Sequence, residues 1–85
     1  MRIYMQTPHS PENPLRFYQL HLQQDLLGHW TLIRESGLQG SRGSVKRNVY
    51  DTREEAEQAM ARLRDMQLRR GYKVMFREGS PQDEY

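Results

Sequence analysis

Apolar and polar residues alternate in several short runs along the chain, and one longer run follows a helical period. Arg2 to Gln6 reads as a first short strand. Phe17 to Gln23 alternates with Tyr18, Leu20 and Leu22 on one face and Gln19, His21 and Gln23 on the other, the signature of a half-buried strand. Asp25-Leu26-Leu27-Gly28 predicts a turn, unusually apolar for one. Trp30 to Arg34 then predicts a second hairpin strand, with Trp30 and Leu32 opposite Thr31 and Ile33. The glycine-rich stretch Gly37 to Gly43 predicts a loop whose glycines serve positive φ angles or close backbone approach. Ser44 to Tyr50 predicts a further strand, alternating less cleanly.

The helical period begins at Thr52. Thr52-Arg53-Glu54-Glu55 fits a capping box, in which hydroxyl and carboxylate satisfy unpaired N–H groups. Ala56, Ala59, Met60 and Leu63, continued by Met66 or Gln67, form one apolar stripe. Acidic residues crowd the first turn and Arg69 and Arg70 the last, as the helix dipole favours. Gly71 predicts the stop. A last strand follows, with Tyr72, Val74 and Phe76 alternating against Lys73, Met75 and Arg77. These elements predict an α+β fold: a small twisted antiparallel sheet of four or five strands with one helix packed on one face.

Three prolines within Pro8 to Pro14 divide the chain into residues 1–15, a first strand with a proline-rich lead-in, and a main domain over residues 16–77. Residues 78–85 are expected to be a disordered acidic tail. Composition then narrows the chemistry. The chain has 85 residues and no cysteine, which removes disulfides, thiolate metal sites and cysteine nucleophiles. No apolar run approaches the ~20 residues that span a bilayer, and the N-terminus lacks the apolar core of a secretion signal. The expectation is a cytoplasmic protein with no membrane partner. Formal charge is +2, from 13 Lys+Arg against 11 Asp+Glu. Setting aside Glu78, Asp83 and Glu84 leaves residues 1–77 at +5.

Nothing in these residues points to catalysis. His9, His21 and His29 have no metal-ligand spacing, and no serine sits in a Gly-x-Ser-x-Gly elbow. The helix carboxylates read as cap and surface groups, and the helix arginines Arg53, Arg62, Arg64 and Arg69 as a solvated face. The glycine stretch leads into a strand, not a helix N-terminus, so it is no phosphate loop of the nucleotide-binding kind. Catalytic residues, metal and cofactor are therefore expected to be absent. The arginine-rich surroundings of the glycine stretch stand out. Arg34, Arg42, Lys46 and Arg47 gather there with only Glu35 opposing them, and Arg pairs bidentately with phosphate.

From Arg16 to Phe76 the chain resembles the WGR domain family, named for a Trp-Gly-Arg motif and found in poly(ADP-ribose) polymerases and in bacterial proteins, including ones described as molybdate-metabolism regulators. Phe17 to Asp25 is similar to the family's opening strand, Arg34 to Gly40 to its R-x-W-G-R-x-G segment, and Arg69 to Tyr72 to its closing Gly-Tyr. Short standalone bacterial members share this layout. Ser36 stands where the motif has Trp and Leu38 where it has Arg, leaving Gly37 and, beyond it, Gly40.

In polymerase members the Trp stacks at a DNA end and the Arg links DNA binding to neighbouring domains. Ser36 cannot stack, an interaction worth about 1–3 kcal/mol, and Leu38 cannot donate a charged hydrogen bond. The resemblance therefore implies a DNA-backbone-binding module of low sequence specificity, contacting its ligand through Arg34, Gly37, Gly40, Arg42, Lys46 and Arg47. The alternative is a protein-interaction or self-associating module, monomer or weak homodimer, suggested by the apolar Leu38 and the Leu26-Leu27 turn.

Overall fold

Residues 1–79 are described by the computed structural model, and their alternating runs resolve into five strands and a helix. The strands are β1 (Arg2–Gln6), β2 (Arg16–Gln24), β3 (Trp30–Leu38), β4 (Ser44–Tyr50) and β5 (Lys73–Glu78), with α1 (Arg53–Arg69) between β4 and β5. They form one sheet in the order β4-β3-β2-β1-β5, every neighbouring pair antiparallel. The expected α+β architecture, a sheet covered on one face by a single helix, is therefore observed.

Period-two alternation decides which side chains meet the helix. Ile3, Met5, Leu20 and Leu32 face α1 and, with Met60, are wholly buried. Burying side chains of this size contributes about 1.5–3 kcal/mol each. The sheet crosses the 15/16 division drawn from the prolines, because β1 lies between β2 and β5 and supplies two of these five residues. The expected alternation of β2 holds, with Tyr18, Leu20 and Leu22 all buried.

The helix starts and stops as its end residues dictate. Thr52 accepts the Glu55 N–H at 3.2 Å, while its hydroxyl donates to the Glu55 carboxylate at 3.2 Å. At the other end Tyr72 N–H reaches the Gln67 carbonyl at 3.0 Å and Gly71 N–H the Leu68 carbonyl at 3.1 Å, with Gly71 at φ 98°. That pattern is a Schellman stop. The apolar stripe continues through Gln67, which is 5% exposed, and not through Met66, which is 42% exposed. Glu57 and Arg64, expected on the solvated face, are buried instead. Both are paired, Glu57 with Arg53 and Arg64 with Asp65 at 2.9 Å, as charges removed from water require.

Two further expectations change. β3 runs through Leu38, so Gly37 and Leu38 are strand residues and the turn to β4 is shorter than the glycines suggest. In β5 a bulge intervenes: Met5 pairs with Val74 but Tyr4 with Phe76. The extra residue at Met75 turns Phe76 onto the face opposite Val74, beside Tyr4. Glu78, assigned to the acidic tail, ends β5 and pairs with Arg2 at 3.6 Å. The remainder of that tail, residues 80–85, lies outside the described residues.

Candidate nucleic-acid interface

The basic residues around the glycine stretch do not form one patch, because adjacent strand residues point to opposite faces. Arg34 and Lys46 are direct partners across β3 and β4, as are Ser36 and Ser44, and all four line a cleft on the helix side of the sheet. Arg47 pairs with Ile33 and therefore lies on the open face. Glu35, the one acid expected to oppose the cluster, pairs with Val45 and Gln19 and faces away with it. Arg42 is exposed in the β3–β4 turn.

The cleft has a volume of about 290 Å³ and opens where the last turns of α1 leave the sheet. Its other walls are Tyr18 from β2 and Leu63, Met66, Gln67 and Arg70 from α1. Three cations, Arg34, Lys46 and Arg70, thus converge on a space that no carboxylate lines among the described residues. Arg34 reaches Asn48 Oδ1 at 3.4 Å through one terminal nitrogen, while its Nε is shielded from solvent and meets no acceptor. Burial raises the Tyr18 phenol above its ordinary range, against the charge and hydrogen bond of Arg34, the hydrogen bond of Gln67 and the charge of Arg70. The phenol therefore stays protonated at neutral pH, able to donate.

The glycines act at the end of β3 on the open face, beside Phe17 and Glu35, and do not line the cleft. A Cβ on Gly43 would lie 2.7 Å from the Ser36 carbonyl oxygen and 2.8 Å from Phe17 Cζ, and one on Gly37 3.1 Å from Gly43 Cα. Only glycine lets the chain re-enter β4 so close to the end of β3. Gly40 takes φ 86° in the turn, with open space around it. Of the Ser36-Gly37-Leu38 segment, Ser36 lines the cleft, Gly37 packs near Phe17, and Leu38 ends β3 at 40% exposure.

Arg70 and Tyr18 belong to the cleft although the sequence marks them only as a helix-end base and a core residue. Arg70 is 24 positions beyond Lys46 in the chain, and only the return of α1 across the sheet brings the two together. Among the described residues no group of three or more His, Asp or Glu is arranged to hold a metal ion, and no helix is long and apolar enough to cross a membrane.

A model of the WGR domain matches residues 1–78, which takes in β1 as well as the segment from Arg16 onward. No curated protein and no solved structure matches the chain.

Proposed function

This chain belongs to the WGR domain family, and from that premise we propose that it is a binding module, without catalysis of its own, whose cleft holds the phosphate backbone of a nucleic acid. The observation that carries this reading is the convergence of Arg34, Lys46 and Arg70 on a space that, among the described residues, no acid lines. Phosphate oxygens would accept from the guanidinium groups and the ammonium, with the Ser36, Ser44 and Tyr18 hydroxyls as neutral donors. Such contacts fix position along a strand without reading bases. DNA is the first ligand to test.

Ser36 is central to this version of the module. A large ring at that position would occupy the cleft, whereas a serine leaves room for an anion and supplies a hydroxyl. The interaction is then largely electrostatic and salt-dependent. Three protein cations that neutralise three phosphates release their condensed counterions, which gives a slope of log K against log salt of about −2 to −3.

Chemical-shift mapping of the labelled protein against a DNA hairpin at low salt tests the reading. Shifts concentrated at residues 34–36, 44–46 and 70 are expected. Shifts confined to the open face, or none at any residue, would remove the proposal.

A further inference from the structure

The molecule is polarised along its strands. Its basic cleft lies at the end of β3 marked by Ser36, and the β2–β3 turn lies at the other end, beyond Trp30. Six residues of strand separate those two positions by about 20 Å. At the turn end Leu26 is 104% exposed and Leu27 83%. They are the most exposed large apolar side chains among the described residues.

This tip is held rigidly. Asp25 Oδ1 accepts the N–H groups of Leu27 and His29, each at 2.9 Å, and the Asp25 N–H donates to the His29 carbonyl at 2.8 Å. Gly28, at φ 90°, closes the turn, and Gln24 Nε2 donates to its carbonyl at 3.2 Å. A fixed turn that presents two leucines to water loses little entropy when a partner covers them. Two acids flank the turn, with His29 between Asp25 and Asp51 at 3.7 and 4.0 Å, while a cation stacked there, Arg53 over the Trp30 ring at 5.5 Å, is paired with Glu57.

The two ends complement each other. The cleft combines the cations Arg34, Lys46 and Arg70 with the apolar Leu63 and Met66, and Leu38 extends the apolar surface of the same face two residues past Ser36. We propose that the occupant of the hairpin tip is a second copy of this chain: Leu26 and Leu27 of one copy seat in the cleft of the next, with Asp25 and Asp51 facing Arg34, Lys46 and Arg70. Such a contact joins unlike surfaces, so it propagates head to tail and leaves a free tip and a free cleft at the ends. Nucleic acid and the tip then compete for one cleft. The proposal concerns the cleft but does not depend on its binding phosphate.

Sedimentation velocity on nucleic-acid-free full-length protein, from micromolar to millimolar concentration, tests this. The wild type is expected to show a concentration-dependent rise in mass that salt suppresses. The double variant Leu26→Ser/Leu27→Ser and, separately, Lys46→Glu should each weaken association about tenfold or more. An equimolar mixture of the two should form dimers and nothing larger, because each variant retains one intact end. Circular dichroism checks that both fold, and Lys46→Gln replaces Lys46→Glu if β4 is disturbed. A monomeric wild type across the range, a double variant that associates like the wild type, or a mixture that stays monomeric would each overturn the proposal.

Discussion

Arg34 of β3 and Lys46 of β4 stand directly opposite each other in the antiparallel register, on the face that meets the helix. Like charges in directly opposed positions destabilise a sheet. Arg70, arriving from the C-terminal end of α1, adds a third positive charge to the same space. An arrangement that costs stability in the free protein is relieved when an anion enters, which is the physical basis for reading the cleft as a binding site.

Replacing Lys46 by Gln should therefore stabilise the protein while weakening nucleic-acid binding. The expected gain is about 0.2–1 kcal/mol, the scale of cross-strand charge effects, read as a higher urea midpoint at unchanged slope. A lower midpoint would mean that Lys46 contributes packing instead of repulsion.

The two turn glycines should respond differently to alanine. Gly43→Ala must displace the Ser36 carbonyl or Phe17, at a cost of about 2–3 kcal/mol typical of overpacking. Gly40→Ala meets no neighbour and pays only for its positive φ, about 1 kcal/mol. Denaturant titration of both variants separates the effects. Equal losses would contradict the close approach of β3 and β4.

Removing residues 1–6 should abolish folding. The deletion takes out the strand between β2 and β5, and with it the buried Ile3 and Met5. Loss of the cooperative thermal transition by circular dichroism is expected. A shortened chain that still melts cooperatively would show that the sheet closes without β1.

Stability should rise with pH across the histidine range. His21 lies opposite Arg2 in the β1–β2 register, and burial first, then the N-terminal ammonium and Arg2, hold its pKa below the ordinary 6.5, against the opposing charge of Glu78. The unfolded chain then binds more protons in the window just below 6.5, so stability falls as pH drops through it and is unaffected by this group above it. His21→Gln should flatten the dependence in denaturation curves from pH 5 to 7. An unchanged slope would assign it to other groups.

Much of this architecture is legible in the sequence where the pattern is local. The alternation of Tyr18, Leu20 and Leu22 and the capping of α1 by Thr52 read directly. The same alternation separates Lys46 from Arg47, yet clustering in the chain groups them together. Faces become distinguishable only once Arg34 and Ile33 fix the register of β4. Arg70 joins the cleft through tertiary packing alone, with no local signal. Phe76 departs from its expected face because a one-residue bulge opposite β1 carries no sequence mark in β5. Glu57 and Arg64 read as surface because charge suggests solvent, whereas their pairing allows burial.

Lys46 and Arg47 are chain neighbours of equal charge on opposite faces of the sheet, and this makes them the sharpest probe of where nucleic acid binds. Fluorescence anisotropy with labelled duplex DNA, measured as a salt series for the wild type, Lys46→Glu and Arg47→Glu, compares them directly. The cleft reading predicts that Lys46→Glu weakens binding strongly and reduces the salt slope by about 1 or more, while Arg47→Glu leaves the slope near that of the wild type. Equal effects of the two substitutions, or no binding by the wild type even at low salt, would contradict it.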